Sequence, residues 1–207
     1  MTQQSAVFVI DDDPSILASL ESLLLSEGYT VLTFGSAQSF LAAKLPDLPA
    51  CLVLDVRLKG SSGLEFQRDL ARGGIMTPVV FITGHGDVPM SVAAMKAGAI
   101  EFLLKPFRDQ DLLDAVNNGI EQDRRLRTQS SHMAELRSRY TTMTPREREI
   151  LPLVASGLMN KQIASSLQLS EVTVKVHRAQ IMQKLHARNL ADLVRMSDRL
   201  ATDGAKA

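Results

Sequence analysis

The sequence predicts an α/β domain built on a five-stranded parallel sheet, joined by a helical linker to a smaller all-α domain with a helix-turn-helix. In the first half, short apolar runs alternate five times with helical patterns, which is typical of a parallel sheet covered on both faces. The second half shows only helical patterns separated by capping residues. The charge also changes sign: residues 1–121 carry 15 acidic and 8 basic side chains, whereas residues 122–207 carry 8 and 15. An acidic half joined to a basic half predicts two domains with different partners.

The first half is predicted to fold as five strand–helix repeats. The run 51–54 contains four consecutive apolar residues, which indicates a strand buried on both faces. Asp13 is expected to cap the first helix rather than to bind a ligand. The expected strands are 6–10, 30–34, 51–54, 79–82 and 100–104, and the expected helices are 14–27, 36–44, 64–71, 88–97 and one that starts near residue 109.

Polar residues stand where the predicted strands end. They are Asp11, Asp12, Asp55, Thr83 and Lys105. Because parallel strands direct their carboxyl ends to one edge of the sheet, we expect these side chains to converge. Carboxylates so close together raise one another's pKa unless a cation lies among them, and hard oxygen ligands suit Mg²⁺. The pattern therefore predicts an acidic, metal-binding pocket in which one carboxylate, Asp55, remains to act as a nucleophile.

The helical pattern that starts near residue 109 continues beyond the first domain. Leu126, Met133, Leu136 and Tyr140 recur at near-heptad spacing, which favours a long helical linker with a weak seam for pairing with another helix. The polar stretch 128–131 favours a flexible linker instead. We prefer the helix.

Four short helices are predicted in the second half. Asn160 and Ser170 are expected to cap the second and third of them. The tight connection 168–170 between these two helices is the signature of a helix-turn-helix. The four predicted helices span 145–156, 160–167, 171–186 and 189–199.

The predicted helix 171–186 has two distinct faces. One face contains Val174, His177, Ile181 and Leu185, and for His177 both an internal position and a contact with phosphate are open. The other contains Lys175, Val176 and Ala179, and a small apolar patch beside a lysine suits thymine methyl groups and phosphates in a major groove of DNA.

Several classes of protein are excluded by composition. The single cysteine, Cys51, lies in a predicted buried strand, which excludes a disulfide framework and favours a reducing compartment. No apolar run approaches the roughly 20 residues that span a bilayer, and the first five residues lack the pattern of a signal peptide. We expect a cytoplasmic protein without a membrane partner.

These motifs resemble those of a two-component response regulator of the FixJ/NarL type with a LuxR-like DNA-binding domain. The resemblance covers about residues 1–122 and 143–200. In the first half it is carried by Asp11-Asp12, Asp55, Lys105-Pro106 and the stretches 83–90 and 94–99, and in the second half by 144–147, 160–164 and 173–178.

The resemblance implies a flavodoxin-like receiver domain with strand order 2-1-3-4-5 over residues 1–122, a helical linker over 123–142 and a helix-turn-helix domain over 143–207. Asp55 would accept a phosphoryl group from a sensor histidine kinase. Mg²⁺ would be held by Asp12, an oxygen of Asp55 and the backbone carbonyl of Arg57, with Asp11 acting through water. The phosphoryl group would be met by Lys105 and by the hydroxyl of Thr83, with Phe102 as the aromatic residue of the switch.

The same resemblance implies a transcriptional activator that forms a homodimer when phosphorylated, binds double-stranded promoter DNA and contacts RNA polymerase. The DNA contacts would come from Thr173, Lys175, Val176, Ala179, Lys161 and Arg178. One departure stands out, since Leu58-Lys59 replaces the usual Met-Pro after the acceptor aspartate and leaves a free amine near the pocket.

Three other functions are less favoured, and we expect a regulator rather than an enzyme. A DNA-binding regulator that acts without phosphorylation would not need the full set of pocket residues. A phosphotransferase with an aspartyl-phosphate intermediate would need an acid two residues after the nucleophile, where this chain has Arg57. An adaptor for RNA or protein is disfavoured because helix 171–186 lacks the aromatic side chains that stack on single-stranded bases.

Overall fold

The computed structural model describes residues 4–59, 61–84 and 88–204. It contains two compact units, Met1–Arg127 and Thr128–Ala207. Among the described residues, no helix combines the length and apolar character needed to cross a membrane.

The first unit contains a five-stranded parallel sheet. Its strands are β1 (Ala6–Ile10), β2 (Thr30–Phe34), β3 (Ala50–Asp55), β6 (Val79–Thr83) and β7 (Glu101–Leu104), and two-residue strands β4 (Arg57–Leu58) and β5 (Ser61–Ser62) form a separate antiparallel pair. The sheet order is β2-β1-β3-β6-β7, which confirms the predicted order 2-1-3-4-5 of the long strands. The helices are α1 (Pro14–Ser26), α2 (Ala37–Ala42), α3 (Gly63–Arg72), α4 (Val88–Lys96) and α5 (Asp109–Thr141).

Strand β3 lies at the centre of the sheet and is buried along its whole length. Because side chains alternate across a strand, Leu52 packs into the apolar layer on one face and Cys51 into the layer on the other. The helix that covers Cys51 approaches so closely that a Cβ on Gly119 would lie 2.6 Å from the sulfur. Burial raises the pKa of the Cys51 thiol to about 12, so this cysteine is a neutral core residue, as predicted.

Residues 123–127 of α5 are fastened to the first unit. The Asp123 carboxylate accepts a hydrogen bond of 2.9 Å from the backbone N–H of Ala50 and one of 2.7 Å from Arg127 Nε. Arg127 also pairs with Asp47. These contacts belong to a segment that we assigned to the linker, and the three-part division into receiver, linker and DNA-binding domain stays a prediction.

The described part of the second unit contains four further helices, α6 (Pro145–Ala155), α7 (Asn160–Leu167), α8 (Glu171–Leu185) and α9 (Leu190–Gly204). Thr144 starts α6 with a reciprocal pair of side-chain to backbone hydrogen bonds with Glu147. The core includes Ile150, Ile163 and Ile181, each fully buried.

The end of α5 also packs into this second core. The helix runs without a break through residues 128–131, so a flexible linker there is wrong. Leu136 is only 6% exposed, and Met133 and Tyr140 pack against the same core. Met133, Leu136 and Tyr140 are therefore used within the chain rather than as a free seam for another helix, whereas Leu126 is 38% exposed.

The predicted cap of α7 needs a correction. Met159 is the N-cap residue, with its backbone N–H donating to Gln162 Oε1 at 2.8 Å, and Asn160 is the first helical residue. Asn160 instead accepts a hydrogen bond of 3.0 Å from Arg178. Ser170 caps α8 as predicted, accepting from the backbone N–H of Thr173.

Candidate functional site

The carboxyl edge of the parallel sheet brings four predicted site residues to one place. Asp11 follows β1, Asp55 ends β3, Thr83 ends β6 and Lys105 follows β7. The backbone N–H of Lys105 donates to the Thr83 carbonyl at 2.8 Å, which continues the β6–β7 pairing to this edge. The sequence places these residues up to 94 positions apart, and the parallel register unites them.

Lys105 bridges two buried carboxylates in this pocket. Its Nζ lies 2.6 Å from Asp11 Oδ2 and 3.1 Å from Asp55 Oδ1. The other oxygen of Asp55 accepts a hydrogen bond of 2.7 Å from the backbone N–H of Arg57. Both carboxylates are almost inaccessible, with Asp11 2% and Asp55 6% exposed. Each charge is thus matched by a partner drawn from another part of the chain.

Burial and pairing oppose each other in the titration of the pocket. Burial raises the pKa of Asp55, and the hydrogen bond and charge of Lys105 only partly offset that rise. For Lys105, burial alone would favour the neutral amine, but the hydrogen bonds to Asp11 and Asp55 outweigh it and raise the pKa. The pocket therefore holds a firmly charged lysine beside a carboxylate whose ionised form is disfavoured.

Asp12 and Asp13 have different surroundings from Asp11. Asp12 is partly exposed, and its Oδ2 lies 3.2 Å from Nζ of Lys59, the residue that departs from the family pattern. Asp13 caps α1, as predicted, by accepting a hydrogen bond of 2.8 Å from the backbone N–H of Ser15. The backbone N–H of Asp13 in turn donates to Asp11 Oδ1 at 2.9 Å, which fixes the Asp11 side chain.

Gly63 is a residue of this site that the sequence-based predictions do not include. A Cβ at position 63 would lie 2.4 Å from the backbone oxygen of Asp55, closer than real Cβ atoms come. The N–H of Gly63 donates to the Val56 carbonyl at 2.9 Å and closes the loop after β3. The sequence shows a glycine eight residues after β3, but it does not show that a side chain at this position would clash with the backbone of Asp55.

The donor set of the pocket fits a magnesium ion that keeps part of its water shell. Within the described ranges, no group of three or more His, Cys, Asp or Glu side chains is arranged to hold a metal by itself. The available donors are carboxylate and backbone oxygens, and Lys105 Nζ already shows that a cation can bind between Asp11 and Asp55. Mg²⁺ suits such a site because it commonly binds one or two carboxylates and completes its octahedron with water and phosphate oxygens.

Thr83 and Phe102 lie on the neighbouring strands β6 and β7. Thr83 is fully buried at the end of β6. Phe102, on β7, is half-buried with its ring centroid 6.4 Å from that of Phe81. Residues 85–87, which belong to the motif that follows Thr83, lie outside the described residues.

A second candidate site is the solvent-facing side of α8. Lys175, Val176 and Ala179 are exposed there, whereas Val174 is fully buried on the opposite face. The two faces of this helix are thus arranged as predicted. Val172 is 72% exposed on the same side as Lys175 and Val176, one turn nearer the start of the helix, and the sequence analysis did not include it.

The other residues predicted to touch DNA have different surroundings. Lys161 is exposed on α7. Thr173 is half-buried, with its hydroxyl 2.8 Å from that of Ser170. Arg178 is half-buried and donates to Asn160 Oδ1 at 3.0 Å and to the Leu158 carbonyl at 3.3 Å, so its guanidinium also ties α8 to the start of α7.

The sheet edge and the helix-turn-helix define a response regulator. Residues 7–117 match the response regulator receiver domain, and residues 141–197 match the bacterial regulatory proteins of the luxR family. The chain belongs to the response regulator family and combines a receiver domain with a LuxR-type DNA-binding domain.

Individual relatives align over nearly the whole chain. Nodulation protein W of Bradyrhizobium diazoefficiens is 53% identical, over 95% of this chain and 87% of that protein. Response regulator protein TmoT of Ectopseudomonas mendocina is 43% identical, over 96% of this chain and 90% of that protein. Among solved structures, the response regulator StyR superposes with a TM-score of 0.83 at 48% identity, covering 95% of this chain and 99% of that one.

Proposed function

We propose that this response regulator is a phosphorylation-controlled transcriptional activator, in which Asp55 accepts a phosphoryl group from a sensor histidine kinase. The observation that carries the proposal is the contact of Lys105 with Asp11 and Asp55 at the carboxyl edge of the sheet, in a chain that also has a DNA-binding domain. Phosphotransfer needs a carboxylate nucleophile next to fixed positive charge, and this pocket supplies both.

The chemistry asks for little covalent work by the protein. A carboxylate oxygen of Asp55 forms a bond to phosphorus as the bond from phosphorus to the kinase histidine nitrogen breaks, and the histidine keeps the electron pair of that bond. Lys105 is placed to pair with the transferred phosphoryl group, since its ammonium already lies 3.1 Å from Asp55 Oδ1. Thr83 is proposed to donate its hydroxyl to a phosphoryl oxygen.

Four residues would hold Mg²⁺ in this pocket. Asp12, one oxygen of Asp55 and the carbonyl of Arg57 would bind it directly, and Asp11 would act through water. When bound, Mg²⁺ supplies charge neutralisation for the phosphoryl oxygens. Until phosphotransfer, Lys105 and the N–H of Arg57 hold the two oxygens of Asp55 in fixed directions.

The response to phosphorylation is proposed to be dimerisation and binding of promoter DNA in the cytoplasm, with RNA polymerase as a further partner. A phosphoryl group adds a charge of roughly −1.5 to −2. In this proposal, groups near Thr83 and Phe102 move to interact with that charge, which switches the domain between two states. Helix α8 would enter the major groove with Lys175, Val176 and Ala179, supported by Thr173, Lys161 and Arg178. In this proposal the aspartyl phosphate is a signal rather than an intermediate, so the chain acts as a regulator and not as an enzyme.

The test is phosphotransfer to the full chain followed by DNA binding. Wild type should take up label from acetyl phosphate or a phosphorylated histidine kinase, and the label should be released by hydroxylamine. Asp55→Asn should take up none, while Asp69→Asn, which changes an exposed aspartate on α3, should label like wild type. Hydroxylamine-labile label that persists on Asp55→Asn, mapped elsewhere by mass spectrometry, would remove Asp55 from its role. Equal DNA affinity with and without label would favour a regulator that does not need phosphate.

A further inference from the structure

Two lysines pair with the carboxylates of Asp11, Asp12 and Asp55 in the acidic pocket and leave it with a net negative charge. Lys105 bridges Asp11 and Asp55, and Lys59 pairs with Asp12 through a contact of 3.2 Å between Nζ and Oδ2. Each carboxylate therefore has an ammonium partner before any metal ion arrives.

The two lysines are held very differently. Lys105 has a mostly buried side chain and two carboxylate partners. The Lys59 side chain is 84% exposed, and its ion-pair partner among the described residues is Asp12. Its backbone is nonetheless anchored, because the preceding Leu58 is buried in the core and pairs with Ser61 in a short antiparallel ladder. Lys59 is thus kept at the rim of the pocket with an exposed ammonium.

We propose that Lys59 competes with Mg²⁺ for Asp12, so that this pocket binds the metal more weakly than it would without the lysine. The inference rests on the proposed function, in which Asp12 is a metal ligand. A magnesium ion lies about 2.0–2.1 Å from its carboxylate oxygens. An ammonium already paired to the same carboxylate would then lie within a few ångströms of a divalent cation, so Lys59 must leave as the metal enters.

The size of the effect follows from the exposure of the pair. An exposed ion pair contributes little free energy, because both charges are well solvated and the lysine side chain loses entropy when it is held. Removal of the Lys59 charge should therefore lower the dissociation constant for Mg²⁺ by about two- to five-fold. Since exposed charges are screened by salt, that gain should shrink as the ionic strength rises.

Isothermal titration of MgCl₂ into the full chain tests the competition. Lys59→Gln should bind Mg²⁺ about two- to five-fold more tightly than wild type. Lys59→Arg, which keeps the charge, should bind like wild type. Lys44→Gln removes another exposed lysine, beyond α2, and should also bind like wild type, which controls for net charge. Asp12→Asn should bind more weakly than wild type.

The outcomes separate this inference from the function on which it rests. Equal affinities of wild type and Lys59→Gln would overturn the competition and leave phosphorylation of Asp55 unaffected. A gain in Lys44→Gln equal to that in Lys59→Gln would overturn it too, because net charge alone would then explain both. If Asp12→Asn does not weaken Mg²⁺ binding, both the competition and the proposed role of Asp12 fail, whereas labelling of Asp55 is tested independently of either.

Discussion

Lys105 Nζ lies 3.1 Å from Asp55 Oδ1, although the two residues are 50 positions apart in the sequence. The same ammonium is shared with Asp11, at 2.6 Å. Burial of Asp55 outweighs this shared partner and raises the pKa of its carboxyl group above the ordinary value. Folding therefore disfavours the ionised form of Asp55 relative to its protonated form.

The first prediction is that Asp55→Asn stabilises the first unit at neutral pH, by about 1 kcal/mol, the usual size of a single-substitution effect. A pKa raised on folding makes a contribution to stability that is fully present below the unfolded pKa and is lost as pH rises through the folded pKa. At pH 7 the ionised Asp55 of wild type no longer makes this contribution to stability. The amide of the Asp55→Asn variant is uncharged, so its burial does not carry the cost of burying a charge. The gain should disappear as the pH falls and Asp55 takes up its proton. Lys105 keeps Asp11 as a partner in the variant.

Hydrogen exchange of peptides from β1 and β3, corrected for intrinsic rates at each pH, measures the free energy of unfolding of this unit. Asp69→Asn serves as the control, since the exposed Asp69–Arg72 pair should contribute little at either pH. If amides of β3 exchange faster in Asp55→Asn than in wild type at pH 7, the prediction is wrong. Pairing of Asp55 with Lys105 would then stabilise the ionised carboxylate by more than burial destabilises it.

The sequence alone was sufficient for the sheet and its acidic edge. Short apolar runs such as 51–54 that alternate with helical patterns indicate strands buried on both faces, and in a parallel sheet the residues that follow them lie at the edge where ligands bind. Asp11, Asp55, Thr83 and Lys105 were found in this way. The sequence did not show that Lys105 binds both aspartates or that Lys59 pairs with Asp12, because side-chain pairing depends on a register that only folding sets.

Other details depend on contacts between distant residues. Leu136 has near-heptad spacing whether it meets a second chain or its own core, and the pattern cannot distinguish the two. Asn160 is a good capping residue by type, yet its oxygen is used by Arg178, 18 positions away. Asp123 lies in a polar, charged stretch that predicts a linker, but its carboxylate accepts a hydrogen bond from the backbone N–H of Ala50 at the start of β3.

The second prediction concerns dimerisation through the face formed by α4, β7 and the start of α5. Val88, Val92 and Met95 on α4 are exposed, and so is Leu104 on β7. If phosphorylation makes this face self-complementary, the beryllofluoride-treated chain should sediment as a dimer at tens of micromolar, the range of a weak interface. Val92→Asp should raise the dimer dissociation constant at least about ten-fold, because it places like charges across a two-fold axis.

Leu41→Asp tests whether any exposed apolar residue would give the same result. Leu41 is as exposed as the residues of the α4 face but lies on α2, so this variant should dimerise like wild type. A monomer at tens of micromolar for treated wild type counts against the face, as does an equal loss in Leu41→Asp.

The last prediction concerns the exposed side of α8. With this helix in the major groove, a symmetric dimer should need an inverted repeat of half-sites. Lys175→Ala should weaken binding by about 1–3 kcal/mol and relax sequence preference if the ammonium contacts a base edge. If it contacts only phosphate, the loss should be nearly equal for all sequences, and the salt slope should fall by about one unit.

Valine substitutions on the same side separate apolar recognition from charge. Val176→Ala and Val172→Ala remove exposed methyl groups one turn apart. Because a lost methyl contact releases no counterion, the salt slope should stay unchanged, and each variant should alter preference mainly at one base pair. Lys44→Ala, which removes an exposed lysine beyond α2 and away from α4, should leave the affinity for DNA unchanged. Binding isotherms over a salt series, with target and scrambled duplexes, distinguish these outcomes. If Lys175→Ala and Val176→Ala both bind the target like wild type, α8 does not read the groove, and the basic half meets DNA through another surface.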